Sequence, residues 1–419
     1  MSVLRSVKGM HDVLPGDMAR WHFVEQTYRD TVERYGYEEI RTPILEPLEL
    51  FVRGIGEATD IVEKEMYAFE DKGGDRLALR PEGTASTIRA YVQHNLQALR
   101  PYHKLYYLGP MFRRERPAKG RFRQFYQAGA ELVGVEEPTA DAEIVEMAVR
   151  FVERLGLARV SVHLSSLGDA GTRPIFRAAL RDHFAGVAGD LCEDCNRRLE
   201  TNPLRILDCK VEACRRHADK APLVLDYLSD QARSHFEETR RMLDRAEVAY
   251  VVDPTMVRGL DYYTRTIFEI KGAADTLGAQ ATIVGGGRYN DLVAGLGGVP
   301  TPAIGFSFGI ERVLMLLDDA LLPQPRPLVF VVGIGDGGSG RAQVVARELR
   351  AASFRVEASY ATASLRSQLK RADKYGAAVA VIAGQDEAGR QAVTVREMKN
   401  GEQREVPVAE LAAALEDFR

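Results

Sequence analysis

Two runs decide the reading of this chain: Lys104-Leu-Tyr-Tyr-Leu-Gly-Pro-Met-Phe-Arg-Arg-Glu115 and Phe122-Arg-Gln-Phe-Tyr-Gln-Ala-Gly-Ala-Glu-Leu-Val-Gly-Val135. The basic turn Arg116-Pro-Ala-Lys-Gly-Arg121 joins them, so the segment reads as an antiparallel hairpin. Residues two apart on a strand share a face. In the second arm that period collects Arg121, Arg123, Phe125, Gln127, Gly129 and Glu131; in the first it collects Tyr107, Gly109, Met111, Arg113 and Glu115. A strand face turned to a core would show Val, Ile or Leu, as Leu132 does on the other side. Here one face carries arginines, carboxylates, an amide and an aromatic, with Gly129 clearing space among them. The competing reading of the same residues is a solvated face with surface salt bridges.

Outward from the hairpin, Asp17 is placed to cap a helix in which Trp21, Val24, Tyr28, Val32 and Tyr35 recur at helical spacing until Gly36. Tyr37 to Leu45 reads as a strand, and Pro43 places it at an edge or interface. A short strand over Leu77–Leu79 ends at Arg80-Pro-Glu-Gly-Thr84, and a helix follows to about His94. Helix is predicted at about 139–155. Residues 171–247 are charged, helical in pattern and hold all four cysteines, which marks an insertion. Strands are predicted at Thr264–Ile270 and Thr282–Val284, with Gly285-Gly-Gly287 as a turn. Ala303–Phe308 leads into a helix reaching Leu317. Three prolines among the six residues Leu322–Pro327 mark a linker. Beyond it the pattern β-α-β-α-β over Leu328–Gly333, Phe354–Ser359 and Ala377–Ala383 predicts a small parallel α/β domain.

The length, 419 residues, suggests two or three folded units at roughly 150 residues per domain. Lysine and arginine number 56 against 60 acidic residues, a net charge of −4, which excludes a uniformly basic nucleic-acid coat. Any polyanion must be met by a local patch. No apolar run approaches the ~18 residues of a membrane span, and the first residues show no secretory signal. Four cysteines exclude a disulfide scaffold and favour a reducing, cytoplasmic setting.

Two further elements join the hairpin and the Arg80–Thr84 segment: Val257-Arg-Gly-Leu-Asp-Tyr-Tyr-Thr264 and Gly305-Phe-Ser-Phe-Gly-Ile-Glu-Arg312. Phe112-Arg113-X-Glu115 with its basic loop resembles motif 2 of the class II aminoacyl-tRNA synthetases, Gly305–Arg312 resembles motif 3, and Gly36–Pro43 resembles motif 1. Within that class, Leu79-Arg-Pro-Glu-Gly-Thr84 and the Val257–Thr264 element resemble the histidyl-tRNA synthetase family. The resemblance runs the whole chain and implies an α+β fold: a class II antiparallel sheet with flanking helices over 1–320 with the insertion, a linker at 321–327, and a C-terminal α/β anticodon-binding domain over 328–419. It implies attachment of L-histidine to tRNA(His) through an adenylate, with ATP and Mg²⁺, in a homodimer.

The resemblance also implies roles. Arg113 and Arg258 would act catalytically, gripping the α-phosphate from two sides, as suits arginine's fixed fork of donors and permanent charge. Arg312 would reach the γ-phosphate and one adenine face, Phe125 the other face; Glu115 would meet the adenine and Arg121 the phosphates. Glu82 and Thr84 would receive the α-ammonium of histidine and Gln127 its backbone end. Glu131 would accept from one imidazole nitrogen and Tyr263 serve the other, with Tyr262 nearby. The turn residues Arg116 and Lys119 are better placed for the acceptor end of tRNA. No nucleophilic side chain is required, since the substrates supply both nucleophiles.

Other signals weigh less. Gly333-X-Gly-X-X-Gly338 has dinucleotide-binding spacing, but some 90 residues follow the linker, so the glycines read as a tight strand–helix turn. Gly285-Gly-Gly287 lacks the Lys-Ser/Thr of a phosphate loop. No catalytic metal site is assigned. Cys192-X2-Cys195 and Cys209-X4-Cys214 leave a structural zinc site and free thiols both open. A regulatory synthetase paralogue would be expected to lack the Arg258–Tyr263 element and the C-terminal domain, and another class II enzyme would need different residues at Glu131 and Tyr263.

Overall fold

The helical spacing near the N-terminus is realised in α1 (Met18–Arg34), which buries Trp21, Val24, Tyr28 and Val32 along one stripe. Asp17 precedes it, but its side chain makes no capping hydrogen bond. The chain leaves the helix at Gly36, whose φ of +81° suits a residue without Cβ. These coordinates come from a computed structural model that describes residues 3–56, 59, 61–257, 262–273, 277, 281–360, 363–384 and 391–419. The chain divides into two units, Met1–Leu322 and Pro323–Arg419.

The single strand expected over Tyr37–Leu45 is instead two short ones, β1 (Glu38–Glu39) and β2 (Leu45–Pro47). Pro43, which cannot donate to a ladder, lies in the break between them. After α2 (Leu48–Ile55), β3 (Ala68–Glu70) and β4 (Arg76–Leu79) complete a small sheet of order β2-β4-β3. Arg80, buried at its end, fastens this sheet to the next: Nη1 donates to the Thr42 carbonyl at 2.9 Å and Nε to the Pro110 carbonyl at 3.0 Å. Helix α3 (Thr84–Gln93) starts four residues later and ends at His94.

The hairpin is β5 (His103–Phe112) and β6 (Gln124–Val133), with Gly109 opposite Gln127 and Met111 opposite Phe125. After α4 (Pro138–Arg154) come β7 (Ser161–Ser166), then α5 (Thr172–Ala185), α6 (Glu193–Thr201), α7 (Glu212–Ala218) and α8 (Asp230–Arg245). The chain then adds β8 (Val251–Val252), β9 (Thr264–Lys271), β10 (Thr282–Arg288) and β11 (Ala303–Gly309) to one eight-stranded sheet, ordered β1-β5-β6-β11-β10-β9-β7-β8. Its middle is antiparallel; only the rim pairs β1·β5 and β7·β8 run parallel. Gly285–Gly287, expected as a turn, lie inside β10. A Cβ at Gly286 would stand 2.4 Å from the Gly305 carbonyl oxygen, so the strands approach there at glycine distance.

One face of the sheet packs under α1, α4 and α8. Tyr28 sits at its centre, edge-on to Tyr106, Phe151, Phe306 and Phe308. Phe236 and Leu243 of α8 belong to this core, so the last helix of the charged 171–247 stretch is part of the main body. The rest of that stretch has its own small core around Phe176, Leu180 and Phe184. A buried pair ties α4 to β10: Arg288 donates to both oxygens of Asp141. Burial, the largest single influence, would raise the Asp141 carboxyl; the Arg288 guanidinium and the His235 ring together outweigh it and lower the group to about 2.

In the second unit, β12 (Leu328–Gly333), β13 (Arg355–Ala358) and β14 (Ala377–Ala383) are parallel and joined by helices at Gly338–Ala351 and Leu365–Lys374. The sheet is mixed rather than all parallel, because β15 (Ala392–Glu397) and β16 (Gln403–Pro407) add to β14 antiparallel. The glycine-rich segment after β12 is the expected tight turn: a Cβ on Gly333 would lie 2.1 Å from the Gly338 carbonyl oxygen. Among the described residues no helix is long and apolar enough to cross a membrane.

Candidate active site

The face of the sheet opposite α1 holds a cavity of about 780 Å³. It brings together Glu82, Arg113, Glu115, Arg121, Phe125, Gln127, Tyr262, Tyr263 and Arg312, which come from four separate stretches of sequence. The strand period explains the central part: Phe125 and Gln127 alternate with core-facing Tyr126 and Ala128 along β6. The period fails at Arg123. The ladder stops at Phe112 and Gln124, and Arg123 turns to the N-terminal segment, where its backbone N–H donates to Gly9 at 2.7 Å and its Nη1 to the Lys8 carbonyl at 3.3 Å.

Each cavity group is held by a named partner. Arg113 Nε donates to the Pro81 carbonyl at 2.8 Å, and its guanidinium lies over the Phe125 ring, 5.3 Å from the centroid. That ring face, read from the sequence as an adenine platform, is covered by Arg113. Arg121 pairs with Glu115 at 3.1 Å. Arg312 reaches across from the helix at Ile310–Leu314, donating to the Gly120 carbonyl at 3.2 Å and the Thr282 carbonyl at 3.0 Å. Burial, and after it the charge of Arg121, lower the Arg312 pKa. Several guanidiniums converging in one partly desolvated cavity make a site for a polyanion.

Glu82 stands at the N-terminus of α3 and accepts from the backbone N–H groups of Thr84 and Ala85 at 2.7 and 2.8 Å. Burial still pushes its carboxyl up. Gln127 Oε1 accepts from the Gly83 N–H at 3.0 Å while its Nε2 donates to Ser307, so it locks the Glu82–Thr84 loop onto β6. Thr84 and Glu131 do not line the cavity. They lie behind it, bonded to each other at 2.7 Å through the Thr84 hydroxyl. A Cβ on Gly305, paired with Glu131 across β11, would fall 1.7 Å from Glu131 Oε2; the glycine leaves room for the carboxylate. Arg116 and Lys119 are exposed on the hairpin turn, outside the cavity. Arg258 lies outside the described residues.

Three groups escaped the sequence reading. Tyr289, just past β10, donates its hydroxyl to Glu131 and packs on Tyr262, 5.5 Å between ring centroids. Tyr107 is buried with its hydroxyl in the spaces that Gly83 and Gly129 leave: a Cβ at either position would come within 2.4 Å of the ring or its oxygen. Glu311 lines the cavity with Oε1 accepting from Tyr126 N–H at 2.9 Å, and burial pushes its carboxyl up to about 7. Tyr107 was on the hairpin face and Glu311 inside the third motif, so both were open to assignment; Tyr289 follows a glycine run with no period to point at it. In the insertion, the thiols of Cys192, Cys195, Cys209 and Cys214 cluster with their sulfur atoms within 4.8 Å of one another.

An antiparallel sheet backed by three helices, with arginines from the hairpin's connecting loop and from the helix at Ile310–Leu314 facing one cavity beside a glycine-rich strand–helix junction, defines a class II aminoacyl-tRNA synthetase. The histidyl-tRNA synthetase family model matches residues 9–313, and an anticodon binding domain model matches 328–418. The chain belongs to the histidyl-tRNA synthetase family. It is 49% identical over 414 residues to a histidine–tRNA ligase of Sorangium cellulosum, covering 99% of this chain and 96% of the relative. It is 48% identical over 413 residues to one of Geobacillus thermodenitrificans, covering 97% of each. The crystal structure of apo S. aureus histidyl-tRNA synthetase superimposes with a TM-score of 0.83 at 34% identity, covering 99% of this chain and 100% of that one.

Proposed function

We propose that the cavity between β6, β10 and the Glu82 loop is where L-histidine and ATP react, with the residue roles given below. The enzyme is a histidine–tRNA ligase: it attaches L-histidine to tRNA(His) through histidyl-adenylate, releasing AMP and diphosphate. In the first step a histidine carboxylate oxygen attacks the α-phosphorus and the bond to diphosphate breaks; in the second the terminal 3′-hydroxyl of tRNA attacks the activated carbonyl and AMP leaves. Neither step needs a side-chain nucleophile. What the protein must supply is fixed positive charge and position.

The observation that carries this reading is the joint lining of one cavity by Arg113, Arg121 and Arg312 with Glu82, Gln127 and the two phenols Tyr262 and Tyr263. Arg113, already fixed by Pro81 and Phe125, holds the α-phosphate without reorganising; Arg258 is proposed opposite it. Arg312 and Arg121 take the β- and γ-phosphates, which relieves their mutual repulsion, and Glu115 with the open face of Phe125 takes the adenine. Glu82 receives the α-ammonium with Thr84 bracing it, and Gln127 the carboxylate end. Tyr263 takes one imidazole nitrogen, and Glu131, buried directly behind the lining and held by Thr84 and Tyr289, takes the other once the ring is seated, with Tyr262 closing the ring pocket. Mg²⁺ would supply charge neutralisation on the phosphates when bound; Glu269 offers a cavity-lining carboxylate of the hard-oxygen type it prefers. Arg116 and Lys119 meet the acceptor end, and residues 328–419 the anticodon. A second copy is assigned to the Gly36–Pro43 edge, where β1 forms the rim of the sheet. The setting is cytoplasmic.

The test is single-turnover adenylate formation. Arg113→Ala should slow it by about 10²–10³-fold, the range for removing one donor from a developing oxyanion, while histidine affinity changes far less. An unchanged rate, or equal losses in rate and histidine binding, would remove Arg113 from the phosphate.

A further inference from the structure

The helical insertion carries chemistry that adenylation does not use. Cys192 precedes α6, Cys195 lies in its first turn, Cys209 follows the turn after Pro203–Ile206, and Cys214 lies in α7. Segments separated by up to 22 residues thus deliver four sulfur atoms to one point, all within 4.8 Å of one another. Cys195, Cys209 and Cys214 are buried and Cys192 half-buried.

The geometry matches a tetrahedral metal ion better than either alternative. With Zn–S bonds of about 2.3 Å, the sulfur–sulfur edge of a tetrahedron is about 3.8 Å; Cys192 Sγ and Cys209 Sγ are 3.9 Å apart. A disulfide requires about 2.05 Å, and all four cysteines are free. Four isolated apolar thiols have no reason to converge from separate turns. The Cys192 backbone N–H donates to Cys214 Sγ at 3.2 Å, the kind of outer hydrogen bond that supports a metal thiolate. The surrounding core is thin. It consists of Phe176, Leu180 and Phe184 with Leu191, Leu199, Ile206, Ala221 and Val224 beside short helical turns, a size at which small units commonly need a staple.

The position of the cluster gives it a consequence. Leu207, Asp208, Lys210 and Arg215, which flank Cys209 and Cys214, line the same cavity as Arg113 and Tyr263. We propose that Cys192, Cys195, Cys209 and Cys214 bind one structural zinc ion that fixes the Leu207–Arg215 stretch as a wall of the cavity. On binding, the thiols give up their protons to solvent and the ion closes its coordination shell with sulfur, leaving no open position for catalysis.

The experiment uses the full chain, purified with reductant and without chelator or added metal. Elemental analysis should find about one zinc per chain; Cys209→Ser should lose it, and Cys192→His, which keeps a donor at the most exposed corner, should retain most of it. Should the serine variant fail to fold, the unaltered chain stripped of metal and given Co²⁺ should show the absorption of a tetrahedral tetrathiolate. Hydrogen exchange should then quicken over Leu207–Arg215 on stripping and slow again with zinc. Iron in place of zinc, disulfides after mild oxidation-free purification, or four titratable thiols that take up neither metal would overturn the site. Unchanged exchange over Leu207–Arg215 would overturn its role in the wall.

Discussion

Burial drives the Glu131 carboxyl up to about 8 although Thr84 and Tyr289 both donate to it. A folded-state pKa above the unfolded value of about 4.3 means that the native state holds the extra proton in between, so stability falls as pH rises from near 4.5 towards 8. Glu131→Gln should flatten that fall in thermal unfolding, because the amide cannot titrate. In the same variant kcat/KM for histidine should drop by about 2- to 10-fold, the equivalent of a hydrogen bond of about 0.5–1.5 kcal/mol between neutral groups. An unchanged KM for histidine would take Glu131 out of the pocket, and an unchanged pH slope would take it out of the titration. Gln127 and Arg113 could be placed from strand alternation alone. Tyr289 could not, because it becomes a partner of Glu131 only through the pairing of β10 with β11, a contact far apart in sequence.

The hairpin shows how an element divides its work. Its ladder from His103 to Phe112 presents Ala128, Ala130 and Leu132 to the core and Phe125 and Gln127 to the cavity, which the alternation predicted. Past the ladder the chain tightens: Ala118 and Arg121 exchange backbone hydrogen bonds at 2.9 and 3.2 Å, and Arg116 and Lys119 are left in solvent. Replacing both by alanine should spare ATP–diphosphate exchange and lower the salt dependence of tRNA binding by about 2 in the log–log slope, roughly one per lost phosphate contact. A fall in exchange, or an undiminished slope, would contradict their assignment. Alternation stops being informative where the regular ladder ends at Phe112 and Gln124, and so Arg123 was misplaced. The glycine run 285–287 misled in the opposite sense: small residues that signal a turn in isolation here let neighbouring strands close up.

At the scale of the whole molecule, Met1–Leu322 has its own core around Tyr28 and Pro323–Arg419 another around Val329, Val331 and Leu349. The run of prolines at the division between the units was plain in the sequence; the last two antiparallel strands were not, since Gln403–Pro407 is mostly exposed and carries little hydrophobic pattern. The four cysteines were plain as residues, but spacing alone could not say that their sulfurs meet. Because each unit has a core, a chain ending at Leu322 should fold and keep histidine-dependent exchange while losing at least ~10-fold in tRNA charging, as expected when a recognition module worth more than about 1.4 kcal/mol is removed. Full charging by the shortened chain would separate the C-terminal unit from tRNA recognition.

In the proposed site a buried carboxyl and a phenol select an amino acid by its two ring nitrogens beside an arginine-lined nucleotide pocket. ATP–diphosphate exchange measured with each of the twenty amino acids tests this selection most directly. Exchange is expected with histidine, with discrimination of about 10⁴-fold or more against side chains that leave those polar groups unpaired. Comparable exchange with another amino acid, or none with histidine, would contradict it.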